Sequence, residues 1–206
     1  CEMPQMNVRY SLSDGKPAID ERAHVGFGLA IDIQHAGERR LVVPVIHDAD
    51  TLTFTGFVEA YQDIISRAKA GSLSAEDYQG ATVTLTNPGT IGTTTSVPRL
   101  MNGQGAIIGV GAMDYPAEFA GVSPRKLALL GIGKTMFVSS TYDHRVIQGA
   151  ASGDFLRLLD LKLSGRDGFY DRVFTALHIP VPPYTWEADF EYDLEREKGK
   201  PARIAE

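Results

Sequence analysis

A strand that runs into a helix through a histidine-bearing turn constrains this chain more than any other stretch. From Lys134 to Ser140 the residues are β-branched or aromatic often enough to read as a strand. Thr141-Tyr142-Asp143-His144-Arg145-Val146-Ile147-Gln148-Gly149-Ala150 follows. From the Gly-Ala pair onward, Ala151, Phe155, Leu158 and Leu159 recur on one helical face. A histidine at such a junction is held stiffly and can still face a cleft. Imidazole ordinarily titrates near neutral pH, which suits a general base. His144 is therefore a candidate base, with a purely structural histidine as the alternative. Gln148 lies one helical turn on, within reach of the same ring.

The remaining chain alternates in the same way. Asp14-Gly15-Lys16-Pro17 reads as a turn between short extended pieces. Val25 to Ile33 and Arg39 to Ile46 read as strands joined through His35-Ala36-Gly37-Glu38. Thr53 is placed to cap a helix running to about Ala70, with Phe57, Tyr61, Ile64, Ile65 and Ala68 at helical spacing. Further strands are expected at Ala81 to Thr86, Ala106 to Val110 and Lys134 to Asp143, and helices at Gly149–Leu163 and Asp167–Leu177. Met113 to Lys126 reads as irregular. Strands interleaved with helices predict an α/β layered fold. Several strands follow one another without a helix between them, so the sheet should be mixed.

With 206 residues, 43% hydrophobic and 22% charged, the chain can bury one substantial core. A formal charge of -6 argues against a nucleic-acid or anionic-membrane footprint. The sequence has no apolar run approaching the roughly 20 residues of a membrane span. The single cysteine, Cys1, leaves no Cys-based metal site, nucleophile or intrachain disulfide, so any thiol chemistry belongs to the substrates, and the cytoplasm is the expected compartment. A chain opening on Cys is expected to be a piece of something longer or a processed form. From Ile179-Pro180-Val181-Pro182-Pro183 the composition turns to proline and then to charge, as in a linker leading to another element.

Other motifs lead nowhere. Gly131-Ile132-Gly133-Lys134-Thr135 resembles the end of a phosphate-binding loop, but the required earlier glycine is Ala128. Gly103, Gly105, Gly109 and Gly111 do not make a dinucleotide fingerprint. His24, His35, His47 and His178 show no ligand spacing, so no metal site is expected. The threonine-rich loop Asn87 to Ser96 is more informative. Thr86 ends the strand before it, where a rigid hydroxyl can be aimed at an oxyanion.

These residues resemble the catalytic domain of the 2-oxo acid dehydrogenase acyltransferases, which has a chloramphenicol acetyltransferase-like fold. Asp143-His144-Arg145-Val146-Ile147-Gln148-Gly149 is similar to the family's D-H-R-x-x-[D/N]-G signature. Thr84-Leu85-Thr86-Asn87-Pro88-Gly89-Thr90-Ile91-Gly92 resembles its T-x-[T/S]-N-x-G-x-x-G segment, and Leu41 to Asp50 its L-x-x-P-V-I-x-x-A segment. A nearer resemblance, through Asn87 to Thr93, Ser96 to Met101, Gly103 to Gly109 and Tyr115 to Phe119, is to actinobacterial fusion proteins. In these an acyltransferase-like domain precedes a thiamine-diphosphate-dependent 2-oxoglutarate decarboxylase.

The resemblance implies a two-layer α/β sandwich with a mixed sheet, assembled as a homotrimer. Residues 1–178 would form the acyltransferase domain without its N-terminal part, and 179–206 the linker and the entry to the decarboxylase. It further implies succinyl transfer between dihydrolipoamide and coenzyme A as substrates, with thiamine diphosphate and magnesium held only outside this chain. A lipoyl-bearing acyltransferase component and dihydrolipoamide dehydrogenase are the implied partners. His144 would deprotonate the attacking thiol, and Thr86 of a neighbouring subunit would donate to the oxyanion. Gln148 departs from the usual Asp or Asn, being longer and uncharged. Two readings stand: an active succinyltransferase, or a catalytically weak trimerising scaffold for the decarboxylase. The coenzyme A contacts are not legible.

Overall fold

In the computed structural model, which describes residues 2–35 and 37–183, the chain opens on an antiparallel hairpin, β1 (Val8–Ser13) and β2 (Lys16–Glu21). Asp14 and Gly15 turn it with φ of +52° and +74°. Both central residues of a two-residue hairpin turn take positive φ in the type I′ geometry that matches strand twist. Asn7 ties the hairpin's two ends together by donating to the carbonyls of Arg22 and His24.

β3 (Phe27–His35) is central to the main sheet. The run expected as one strand from Arg39 to Ile46 is instead divided into β4 (Glu38–Val42) and β5 (Val45–Ile46), both antiparallel to β3. Pro44 lies at the break. It has no N–H to give the ladder, and its carbonyl accepts from Leu29 N at 2.8 Å. α1 (Phe54–Ala70) is bounded as its sequence predicts: Thr53 Oγ1 accepts from Gly56 N, and Gly71 closes the helix in the left-handed region. Ile64 and Ala68 are its buried residues.

β6 (Val83–Thr86) and β7 (Ala106–Val110) run parallel to β3, and β8 (Val138–Tyr142) returns antiparallel, giving the order β4-β3-β6-β7-β8. The sheet is therefore mixed. α2 (Pro124–Leu129), capped by Ser123, begins at the end of the stretch from Met113 to Lys126 that reads as irregular and runs past it; six residues are too few to show a clear period. β8 is shorter than the run from Lys134 to Asp143 suggests. Before it, Thr135 makes a single bridge to Asp114. α3 (Gly149–Leu163) and α4 (Phe169–Ala176) follow.

Helices α1 and α3 pack on one face of the sheet. Leu29, Ile46 and Ile64 form a core there with Phe27, Phe57 and Leu85, and Met6, Val8, Ala106 and Ile147 form a second with Tyr142 and Phe155. The threonine-rich loop is drawn in against the sheet end. A side chain on Gly89 would overlap the backbone at Gly111, and one on Gly111 the carbonyl of Thr94. Together the strands and helices make the two-layer α/β sandwich. The expected linker and decarboxylase entry fall largely on 184–206, outside the described residues.

Candidate active site

The turn after β8 is built by Asp143. Its backbone N–H donates to Gly105 O at 2.9 Å, and its carbonyl accepts from Val146 N and Ile147 N. Its side chain accepts from the backbone of Arg145 at 3.0 Å and from the Arg145 guanidinium at 2.6 and 2.9 Å. Ile147, with 1% of its surface exposed, anchors the far side of the turn in the core. His144 stands between these anchors with its side chain exposed. Its ring centroid lies 5.5 Å from that of Tyr142.

The electrostatics follow from the same contacts. The Arg145 guanidinium, donating to both Asp143 oxygens, holds that carboxyl below the ordinary carboxylate range, and burial opposes this only partly. Asp143 is thus committed to Arg145. The two side chains form an ion pair within the turn. Gln148 is the N-cap residue of α3 and is exposed; its carbonyl accepts from Ser152 N at 3.2 Å, and its side chain does not cap the helix.

Thr86 ends β6 and is half-buried. It borders an open cavity of about 650 Å³ with Ile31, Leu41, Tyr61, Leu85 and Ile91. Strand register fixes its relation to the histidine. Thr86 is level with Gly109 and hence with Ser139, whereas Tyr142 is level with Ala106 and Val83. At about 3.3 Å per residue and 4.8 Å per strand, Tyr142 lies roughly 14 Å from Thr86. The chain runs on from Tyr142 in the direction away from Thr86, since Asp143 bonds to Gly105. Within one chain, then, His144 and Thr86 occupy opposite ends of the sheet and are not brought together. Among the described residues, no three His, Cys, Asp or Glu side chains converge as metal ligands, and no helix is long and apolar enough to cross a membrane.

Comparison with known proteins places the chain in a family. The model of the 2-oxoacid dehydrogenases acyltransferase catalytic domain matches residues 1–165. The chain belongs to the 2-oxoacid dehydrogenase acyltransferase family. A multifunctional 2-oxoglutarate metabolism enzyme of Mycobacterium sp. strain JLS is 53% identical over all of this chain. The 2-oxoglutarate dehydrogenase E1/E2 component of Corynebacterium glutamicum is 52% identical over 90% of it. This chain spans 16% and 15% of those two proteins.

Among solved structures, the dihydrolipoamide acetyltransferase of Azotobacter vinelandii aligns with a TM-score of 0.59 at 30% identity, covering 78% of this chain and 61% of that one. In that protein a serine, a histidine and an asparagine four positions after the histidine were investigated for their role in the catalytic mechanism. A truncated catalytic core of the 2-oxoacid dehydrogenase multienzyme complex from Thermoplasma acidophilum aligns with a TM-score of 0.62 at 28% identity, covering 81% and 67%. These likenesses agree with the acyltransferase-type fold.

One contact at the histidine turn was not legible in the sequence. The Arg145 guanidinium lies over the Tyr10 ring, 3.7 Å from its centroid. The period-two alternation Val8, Tyr10, Leu12 puts Tyr10 on the same hairpin face as buried Val8. That alternation is the signal that could have singled it out.

Proposed function

We propose that this acyltransferase domain moves a succinyl group between dihydrolipoamide and coenzyme A, with active sites shared between the subunits of a homotrimer. The observation that carries the reading is the strand register. His144 sits exposed on a fixed turn and Thr86 at the opposite end of the sheet, so both can serve one reaction only if they come from different subunits. His144 takes the proton from the attacking thiol, which is otherwise only a few per cent thiolate at neutral pH. The thiolate adds to the thioester carbonyl, and the Thr86 hydroxyl of the neighbouring subunit donates to the oxyanion. Collapse expels the second thiol, which regains its proton from His144.

The succinyl group is inferred from the relatives named for 2-oxoglutarate metabolism. In the same reading, residues 1–178 are the acyltransferase domain and 179–206 lead towards a decarboxylase. Thiamine diphosphate and magnesium would serve that later domain, outside this chain. A lipoyl-bearing acyltransferase component and dihydrolipoamide dehydrogenase are the proposed partners, in the cytoplasm. A second reading, a trimeric scaffold of low activity, is favoured by one observation. Gln148 brings no charge to balance an imidazolium, and the adjacent carboxylate is taken by Arg145.

Complementation tests both. His144→Ala and Thr86→Ala should each abolish transfer from succinyl-CoA to dihydrolipoamide in the full-length protein. Co-expressed, they should recover about a quarter of wild-type activity, because in a closed ring about one interface in four pairs an intact histidine with an intact threonine. No recovery would disprove the shared site, and no transfer by wild type would leave the scaffold.

A further inference from the structure

We propose that Tyr10 is a positioning residue for His144, acting through Arg145; this rests on the reading of His144 as the base. The Asp143–Arg145 pair fixes the histidine turn, yet 62% of the Arg145 side chain is open to solvent. A guanidinium so exposed holds its geometry poorly, because water competes for it and the long side chain samples other rotamers. Tyr10 removes that freedom. Its ring covers one face of the guanidinium at 3.7 Å while both Asp143 oxygens receive the guanidinium edge. Attraction between a cation and the ring face adds to the contact.

The hairpin can act as a rigid support because its root is part of the same core as the turn. Met6 and Val8 pack with Ala106 and Ile147, three residues after His144. Gly105 lets the two segments touch: a side chain there would overlap the Val8 carbonyl, and Gly105 O in turn receives the Asp143 N–H. On the same face Leu12 and Ile19 are 64% and 59% exposed, whereas Tyr10 is half-buried. The chain from Gly105 through Val8 and Tyr10 to Arg145 closes around the turn. Hairpin and histidine should therefore move as one body.

The test uses the full-length protein and acyl transfer between succinyl-CoA and dihydrolipoamide. Tyr10→Leu, which keeps bulk but removes the ring face, should lower kcat by about three- to thirtyfold, the range expected for such a contact, with KM unchanged. Tyr10→Phe should restore wild-type kcat. Arg145→Gln combined with Tyr10→Leu should be no slower than Arg145→Gln alone, since two residues acting through one contact are not additive. Equal kcat for Tyr10→Leu and wild type, or additive losses in the pair, would overturn the role of Tyr10 while leaving His144 as the base. Wild-type turnover in His144→Ala would overturn both assignments. The His144 ring resonances give an independent readout, sharp in wild type and Tyr10→Phe and exchange-broadened in Tyr10→Leu.

Discussion

Gln148 is a one-residue experiment on the proposed base. It stands four residues after His144 as the N-cap residue of α3, where the signature that this stretch resembles carries Asp or Asn. Gln148→Asp places a negative charge beside the forming imidazolium and also at a helix N-terminus, both favourable. The expected result is a higher kcat, by about tenfold, measured as succinyl transfer beside wild type; a lower kcat would show that the longer amide is the better partner. Asp143 offers a pH test. Its carboxyl is held low in the folded protein by Arg145, so its contribution to stability is complete above the unfolded value of about 3.9 and is lost as pH falls through the lower folded value. Arg145→Gln removes the donor. In urea denaturation the variant should be less stable than wild type at pH 7, and the gap should narrow as pH falls below about 4.

At the scale of elements, α1 and the first hairpin hold the two ends of the molecule. Ile64, 3% exposed, joins α1 to Leu29 and Ile46. Ile64→Ala leaves a cavity between helix and sheet and should cost about 2–5 kcal/mol, read as a lower Tm with little change in kcat of the folded fraction. Gly105 is the hinge of the other end. Gly105→Ala forces the hairpin root off the histidine turn, because the new Cβ would occupy the place of the Val8 carbonyl oxygen. Limited proteolysis should then cut between Arg9 and Glu21 much faster than in wild type, and transfer should fall together with the Tyr10–Arg145 contact.

On the scale of the whole molecule, the proposed trimer has to bring a neighbour's His144 to Thr86. Leu41 and Ile91 flank Thr86 at the cavity and are 69% and 66% exposed in the single chain. Burial of such apolar side chains stabilises an interface by about 25 cal/mol per Å² removed from water. Leu41→Asp combined with Ile91→Asp should shift the assembly to monomers in analytical ultracentrifugation and abolish transfer with His144 and Thr86 both present. A stable trimer in that variant would move the subunit contact elsewhere.

The sequence by itself determined the local features, because each rests on chemistry within a few residues. Thr53 and Gly71 bound α1, Asp14-Gly15 makes the hairpin turn, and Asp143-His144-Arg145 marks the junction. Pro44 carried a local signal as well, and a strand broken there follows from its missing N–H. Helix α2 left almost none, being too short for a period to show. Only the tertiary structure decided which strands are neighbours and in what register. Hence only it could set His144 and Thr86 at opposite ends of one sheet. The Tyr10–Arg145 contact joins residues far apart in the chain. The alternation Val8, Tyr10, Leu12 marks the face of Tyr10, but its partner is selected by the cluster that holds Val8 and Ile147, a non-local choice.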